Sequence, residues 1–383
     1  MNATVLNSEF DHIRPYTNDE IPEAMQRIAD AHEVGNIVSF LFPEMKLTEV
    51  RDLIRSIETT EEFQKLLAMK SVQKVVKQTT KGVTVEGFEN IDTTKNHVFV
   101  MNHRDIVLDS SLFQIALMDH GFKSTEICVG DNLMPTQFFV DIWRSNKMVK
   151  VLRGASIRET LQNSLIFSKY LRHTVTSKHE SVWIAQRNGR TKDGIDVTDP
   201  ALIKMFAMSA TGDILTSIAE LNIIPVAISY QIEPCDWMKT RELFLSKNAP
   251  YQKAPNEDFQ SILTGIMQRK GNVHIAIGKT INPKLEACKN LPNHTIFKGI
   301  AKLIDDEIVS NYKLFDTNYI AYDLLNQTDK YASHYTDEAK EQFIINMNEK
   351  IAQIGLKFYP ELCKIFFSIY ANPVFSHNSR SQN

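Results

Sequence analysis

The feature of this chain that most constrains its fold is a series of short apolar runs separated by segments of helical spacing. The runs, which are rich in β-branched or aromatic residues, are 97–101, 127–129, 148–152, 181–185, 223–230 and 273–277. Helical spacing of apolar residues lies between several of them, most clearly over 157–171. Short apolar strands that alternate with longer helices are typical of an α/β domain with a buried, largely parallel sheet. We therefore predict a mostly parallel mixed sheet flanked by helices.

The chain has 383 residues, which is enough for more than one structural unit. Apolar residues in 1–80 recur at helical spacing, so we predict a helical N-terminal region there. We place the α/β domain at 82–315 and expect its segment from 199 to about 220 to form one helix. A helical C-terminal extension is predicted over 316–383, with its clearest pattern at 337–352.

Composition excludes several classes of protein. The net charge of −3 gives no reason to expect a nucleic-acid partner. The four cysteines lie far apart and form no CxxC pair, which is typical of free thiols in a reducing compartment and argues against a zinc site. Nucleotide-binding motifs of the GxxxxGK[ST] or GxGxxG type do not follow any predicted strand.

A polar cluster follows directly after the run at 97–101. It contains His103, Asp105 and Asp109, and strand ends are where α/β sheets commonly place their active sites. Histidine is well suited to remove a proton near neutral pH, and a nearby carboxylate can fix its tautomer. Either Asp105 or Asp109 is within reach by sequence. The alternative is a turn in which these polar side chains only cap the next helix.

Two further polar clusters also follow predicted strands. Arg153, Gly154 and Arg158 come after 148–152, and a third cluster, residues 186–194, comes after 181–185. Arginines beside a glycine or a helix start can bind an anion such as phosphate. The alternative is an ordinary solvated loop with a helix cap. Because the carboxyl ends of parallel strands meet at one edge, we expect the three clusters to lie together.

These three clusters, together with part of the apolar run at 223–230, resemble the four sequence blocks of the glycerol-3-phosphate and 1-acylglycerol-3-phosphate acyltransferase family. The corresponding residues of this chain are His103 with a following Asp for NHxxxxD, Arg153-Gly154 with Ser156 and Arg158, Asn188-Gly189-Arg190-Thr191 for EGTR, and Ile224-Pro225-Val226-Ala227. The resemblance covers about 98–230 and predicts a fold like that of the glycerolipid acyltransferases. It leaves the helical regions at both ends unexplained.

The chain departs from the family pattern at two positions. In the family the Asp lies five residues after the His, whereas here that position is Leu108 and the Asp is Asp109. Either Asp109 or Asp105 takes the role, and the arrangement favours Asp109. Asn188 stands where the family has a glutamate, and an asparagine can hydrogen-bond a hydroxyl but cannot form an ion pair. This difference bears on the identity of the acyl acceptor.

The resemblance implies acyl transfer from acyl-CoA or acyl-carrier protein to a glycerolipid acceptor, with no metal and no other cofactor. It implies catalysis by His103 with Asp109 or Asp105. The residues implied to bind the acceptor phosphate are Arg153, Gly154, Arg158, Asn188, Gly189 and Arg190, with Lys192 assisting. The alternatives are a non-phosphate acceptor, such as glycerol or an amino-acid-derived lipid, and a catalytically weak module that binds an acyl chain or a carrier protein.

No apolar run reaches the roughly 20 residues that a membrane-spanning helix needs, and the first residues lack the apolar stretch of a signal peptide. We therefore expect a cytoplasmic protein that associates peripherally with the cytoplasmic face of a membrane. Residues 133–150 and 365–370 are candidate interfacial segments, since they combine apolar with basic or aromatic side chains. The alternative for 133–150 is an ordinary helix packed on the sheet.

Overall fold

The computed structural model describes residues 9–35, 41–247 and 249–380. Its centre is a seven-stranded sheet with the order β1-β7-β6-β2-β5-β3-β4. The strands are β1 (Thr80–Glu86), β2 (Val98–Met101), β3 (Glu126–Gly130), β4 (Met148–Val151), β5 (Val182–Ala185), β6 (Ile224–Tyr230) and β7 (Gly271–Ile277). Helices flank this sheet, so the predicted fold class, a mostly parallel mixed sheet between helices, is confirmed.

Strand direction decides where the polar loops meet. Strands β2 to β6 run parallel to one another. Strand β7 is antiparallel to β6, and β1 is parallel to β7. The carboxyl ends of β2 to β6 therefore share one edge of the sheet, and the loops that follow these strands lie along it.

Helices precede the sheet, cover it and follow it. Before the sheet are α1 (Ile21–Asp30), α2 (Leu47–Arg55) and α3 (Thr60–Phe63), which continues through a π-helical segment, Gln64–Ala68, into α4 (Met69–Thr79). Between and after the strands are α5 (Leu108–Asp119), α6 (Gln137–Ser145), α7 (Ile157–Thr176), α8 (Pro200–Ala207), α9 (Ile214–Ala219), α10 (Asp236–Leu245), α11 (Glu257–Met267) and α12 (Asn293–Asn311). The C-terminal helices are α13 (Asp316–Asn326), α14 (Asp337–Ile354) and α15 (Tyr359–Arg380).

The prediction of a single helix from 199 to about 220 is wrong, because the structure has two helices there. Helix α8 ends at Ala207, and α9 begins at Ile214. The Asp213 side chain accepts a hydrogen bond from the backbone N–H of Thr216, 3.0 Å away, and so caps a new helix start. The apolar spacing continues across the break, which is why the pattern alone suggested one helix.

Alternation along the strands divides the core between the two faces of the sheet. Val98 and Val100 of β2 belong to one apolar cluster, while Phe99 and Met101 belong to the other. Separate apolar clusters hold the helices at the two ends of the chain. One joins α1, α2 and α3 through side chains such as Ile21, Val50 and Phe63, and the other joins α13, α14 and α15.

The two candidate interfacial segments pack against apolar clusters inside the protein. Phe138 and Ile142 of α6 contact the apolar cluster of the N-terminal helices. Phe366, Ile369 and Tyr370 are buried within the cluster of C-terminal helices. Over residues 9–35, 41–247 and 249–380, no helix is both long enough and apolar enough to cross a bilayer.

Candidate active site

The His103 loop connects β2 to α5 at the carboxyl edge of the sheet. Asn102, at the end of β2, fixes the start of this loop to β6. Its Oδ1 accepts from the backbone N–H of Ile228 at 2.7 Å, and its Nδ2 donates to the Ile228 carbonyl at 3.0 Å. On the other side, the Thr191 N–H donates to the His103 carbonyl at 2.7 Å. The loop is thus held by β6 on one side and by the segment after β5 on the other.

His103 and Asp109 are in direct contact. Nδ1 of His103 lies 2.9 Å from Oδ2 of Asp109. The imidazole is 14% exposed, whereas the Asp109 side chain is fully buried. The Trp183 ring of β5 packs edge-on to the imidazole, with 6.3 Å between ring centroids. A buried carboxylate on Nδ1 leaves Nε2 as the ring nitrogen available for proton transfer.

Asp109 is held by four hydrogen bonds. Besides His103, its Oδ2 accepts from the backbone N–H groups of Arg104 at 2.6 Å and Asp105 at 2.9 Å. The Tyr230 hydroxyl donates to Oδ1 at 2.8 Å. Burial, joined by the charge of Asp109, raises the pKa of Tyr230 well above its usual value. The phenol therefore stays protonated and keeps donating to the carboxylate.

Asp105 occupies a different position from Asp109. Its Oδ1 accepts from the backbone N–H groups of Val107 at 2.9 Å and Leu108 at 2.8 Å, which caps the start of α5. Burial, followed by the charge of Asp109, raises the pKa of Asp105. Gly265 of α11 approaches it so closely that a Cβ there would lie 2.2 Å from Oδ2. Of the two candidate carboxylates, Asp109 contacts the imidazole and Asp105 caps the helix.

A buried ionic network lies beneath the His103 loop. The Arg104 guanidinium is 1% exposed and donates to Asp196 at 2.7 Å and to Glu233 at 3.1 Å. Lys239 donates to Glu233 at 2.6 Å and to the Arg104 carbonyl at 2.8 Å. Sequence reasoning assigned no role to these residues. Their only sequence signal is that Arg104 follows His103, since its partners come from distant loops.

The network continues into the C-terminal helices. Tyr370 of α15 donates to Asp236 at 2.7 Å and accepts from the backbone N–H of Glu233 at 3.0 Å. Lys350 of α14 donates to the same Asp236 carboxylate at 2.6 Å. The C-terminal helices, whose role the sequence left unexplained, therefore brace the segment that carries Glu233.

The second and third clusters meet, as the shared sheet edge predicts. Nη2 of Arg153 donates to Oδ1 of Asn188 at 3.0 Å. The Arg153 N–H donates to Asp131, in the loop after β3, at 3.2 Å. Gly154 packs so closely on the first turn of α7 that a Cβ would lie 2.2 Å from the Thr160 nitrogen. Any side chain at position 154 would thus displace the Arg153 loop.

The remaining predicted residues differ in their surroundings. Arg158 and Gly189 are exposed, on α7 and in the loop after β5. Arg190 is half-buried, and its Nη1 is a buried atom without a hydrogen-bond partner among the described residues. Its charge acts on Asp105, where it opposes the rise in pKa. Lys192 forms an ion pair with Glu242 of α10, so it is committed to a protein carboxylate.

Two other features bear on where ligands bind. Among the described residues, no group of three or more His, Cys, Asp or Glu side chains is arranged to hold a metal ion. A cavity of about 790 Å³ lies at the opposite edge of the sheet, lined by residues such as Glu126, Lys147 and Tyr170 at or near the amino ends of β3 and β4. His103 does not line it, and two of its cations, Lys147 and Lys178, are paired with Glu180 and Glu126.

Comparison with known proteins identifies the domain that carries this site. No curated protein matches the chain. One similar solved structure is the crystal structure of the 1-acyl-sn-glycerophosphate (LPA) acyltransferase PlsC from Thermotoga maritima, at 16% identity and a TM-score of 0.36, covering 76% of this chain and 94% of that one. A family model described as Acyltransferase matches residues 82–229. That range contains His103, Asp109, Arg153 and Arg190, so the resemblance seen in the sequence blocks is confirmed for residues 82–229, which match an acyltransferase domain.

Proposed function

We propose that this chain transfers a fatty acyl group from acyl-CoA or acyl-carrier protein to the hydroxyl of glycerol-3-phosphate or 1-acylglycerol-3-phosphate, in phospholipid synthesis. The observation that carries the proposal is the 2.9 Å contact between His103 Nδ1 and the buried Asp109 carboxylate, inside an acyltransferase domain. A histidine oriented in this way is a general base for a hydroxyl nucleophile.

In the proposed reaction, Nε2 of His103 takes the proton from the acceptor hydroxyl as its oxygen attacks the thioester carbonyl. The Asp109 carboxylate fixes the tautomer and stabilises the imidazolium that forms. The carbon–sulfur bond then breaks, and His103 returns its proton to the departing thiolate. The products are an ester and a free thiol, so no serine or cysteine nucleophile, metal or redox partner takes part.

The charge at the strand ends supports a phosphate-bearing acceptor. Arg153 pairs with the neutral Asn188 rather than with the glutamate that the family usually has at that position. Its positive charge is therefore not neutralised by this partner. Arg190 offers a buried Nη1 donor that no described residue satisfies, and a buried donor without a partner is costly unless a ligand supplies an acceptor. Gly154, Arg158 and Gly189 would complete the acceptor site.

The test is thiol release from palmitoyl-CoA, and separately from palmitoyl-carrier protein, with each phosphate acceptor in turn. We expect His103→Ala to lower kcat by roughly 10²–10⁴-fold, which is the usual contribution of a general base. His120→Ala is the matched control, because His120 lies at the end of the same α5 helix and its ring stacks on Phe88, away from the site. If His103→Ala released thiol with a kcat close to that of the wild type in the presence of the acceptor, the mechanism would be contradicted.

The acceptor is tested separately from the chemistry. We expect Arg153→Ala and Arg190→Ala to raise the KM for the phosphate acceptor, while Arg55→Ala, a surface arginine paired with Asp30, leaves it unchanged. Unchanged KM in both site variants would favour a non-phosphate acceptor, such as glycerol or an amino-acid-derived lipid. If the protein bound the thioester but transferred the acyl group to none of these acceptors, the remaining alternative would be a module that binds an acyl chain or a carrier protein.

A further inference from the structure

Two helices beside the site carry large apolar side chains that the described part of the chain leaves exposed. On α11, Phe259, Leu263 and Met267 are exposed, and Met267 is 60% exposed. Their spacing of four residues places them on one face of the helix. The opposite face packs inward, where Ser261 and Gly265 are buried and Gly265 lies against Asp105. The stripe therefore faces outward directly above the His103 loop.

Helix α7 carries a second stripe of the same kind. Ile157, Leu161 and Leu165 are exposed and also repeat every four residues, with Ile157 84% exposed. All residues from 155 to 162 are exposed, so the first two turns of the helix stand away from the protein core. Large apolar side chains that are this exposed and this regular are unusual unless they contact a partner.

The two stripes start from neighbouring loops at the carboxyl edge of the sheet. Asn132 donates to Asp258, next to Phe259 on α11, at 3.3 Å. The adjacent Asp131 accepts from Arg153, which lies just before α7. We call these two stripes, 157/161/165 and 259/263/267, the flanking stripes. They border the same loops that hold the proposed acceptor site.

Exposed arginines beside the stripe of α7 are suited to phosphate headgroups. Arg158 is exposed next to Ile157, and Arg187 is exposed in the loop whose Asn188 contacts Arg153. Apolar side chains that enter the acyl region, together with arginines at headgroup level, are the usual features of an interfacial helix. Because the stripes lie on two separate helices, a fluid bilayer can accommodate both without a matching shape.

We propose that the flanking stripes dock this protein on an anionic lipid bilayer, with the His103 loop turned toward the membrane surface. The proposal rests on the proposed function, because docking in this orientation delivers a membrane-resident glycerolipid acceptor to the arginines at the strand ends. It assigns membrane contact to α7 and α11 rather than to α6 or α15, whose apolar side chains are packed inside the protein.

Vesicle sedimentation of the full chain tests the docking surface without depending on turnover. We expect binding to vesicles of phosphatidylcholine with phosphatidylglycerol, and weaker binding at high salt or without the anionic lipid. Ile157→Ser with Leu161→Ser, and Phe259→Ser with Met267→Ser, should each weaken binding by at least about tenfold, since each pair withdraws two apolar side chains from the bilayer. Ile345→Ser, an exposed apolar residue on α14, should bind like the wild type. Thermal unfolding of each variant checks that it is folded.

The outcomes separate docking from catalysis. Wild-type vesicle binding in both pairs of stripe variants would overturn the proposal, and thiol release by the wild type would still stand as a test of the proposed function. The proposal would also be overturned if the variants kept vesicle binding but lost binding of acyl-carrier protein, because the stripes would then be a carrier-protein surface. Vesicle binding that is lost in the stripe variants and kept in Ile345→Ser supports it.

Discussion

The hydroxyl of Tyr230 donates a hydrogen bond to Oδ1 of Asp109 at 2.8 Å, on the opposite carboxylate oxygen from the one that contacts His103. Tyr230 is the last residue of β6, and Asp109 lies in the first turn of α5. Both side chains are buried. The tyrosine therefore connects a second strand of the sheet to the carboxylate that orients the imidazole, and we infer that it is a positioning residue.

We predict that Tyr230→Phe lowers kcat by about tenfold, with little change in the KM of either substrate. The substitution keeps the ring but removes a hydrogen bond to a charged group, a contact worth about 1.5–3 kcal/mol. Asp109 would then be held less firmly and would orient His103 less well. Steady-state kinetics with both substrates varied measures the two parameters. The pH profile of kcat should shift as well, because one donor to the carboxylate that contacts the imidazole is lost.

The matched control for this prediction is Tyr170→Phe. Tyr170 also donates to a buried carboxylate, that of Glu126, at 2.8 Å, but at the opposite edge of the sheet. Both variants should lose a similar free energy of unfolding, about 1–3 kcal/mol. Only Tyr230→Phe should change kcat. An equal loss of kcat in the two variants would mean that Tyr230 acts through stability alone.

Exchanging each aspartate of the His103 loop for asparagine should distinguish their roles. We expect Asp109→Asn to lower kcat on the order of 10³–10⁴-fold, because a neutral amide cannot stabilise the imidazolium and favours the wrong tautomer. Asp105→Asn should lower kcat by less than about tenfold, because asparagine caps a helix as well as aspartate does. Kinetics with a saturating acceptor provides the comparison. A larger loss of kcat in Asp105→Asn than in Asp109→Asn would mean that Asp105, and not Asp109, is the catalytic carboxylate.

Much of the fold follows from the sequence because buried parallel strands leave a clear pattern. Each short apolar run became a strand, and the polar clusters after the runs at 97–101, 148–152 and 181–185 came together at one sheet edge. Helices α10 and α11 were not predicted. The buried residues of α10 are polar, namely Asp236, Lys239 and Thr240. On α11 the apolar residues divide between an inner face and an exposed stripe. That division gives no simple amphipathic pattern, and it follows from the inward-facing Gly265.

The side-chain contacts beneath the His103 loop could not be predicted from the sequence. Arg104 is paired with Asp196 and Glu233, which lie about 90 and 130 positions away along the chain. No local spacing links such residues, and only the folded sheet brings their loops together. Tyr230 was hidden for a similar reason, because its run of apolar neighbours in β6 predicts a core residue and says nothing of its hydroxyl.

We predict that Arg104→Met destabilises the protein by roughly 3–5 kcal/mol, because it leaves the buried Asp196 carboxylate without its cation, while Glu233 keeps only Lys239. Arg14→Met is the control, since Arg14 also pairs with two carboxylates, Asp11 and Glu20, but near the surface. That variant should lose about 1 kcal/mol or less. Urea unfolding measures both. Adding Asp196→Asn to Arg104→Met should recover part of the loss, and a double variant less stable than the single one would contradict this account.

The last prediction concerns Asp305 of α12, whose pKa burial raises to about 6. Its Oδ1 accepts from the Thr198 N–H at 2.7 Å, which only partly offsets the effect of burial. Because the folded state holds this proton more tightly than the unfolded chain, Asp305 contributes stability below about pH 4 that is lost as the pH rises through about 6. The free energy of unfolding of Asp305→Asn, relative to that of the wild type, should therefore increase from pH 4.5 to pH 7.5, by at most about 3 kcal/mol.

Denaturant unfolding at the two pH values measures this increase. Asp306→Asn, which loses only the ion pairs with Lys302 and Arg380 at the surface, should differ from the wild type by about 1 kcal/mol or less at both pH values. A pH-independent effect of Asp305→Asn would show that the carboxyl titrates normally in the folded protein.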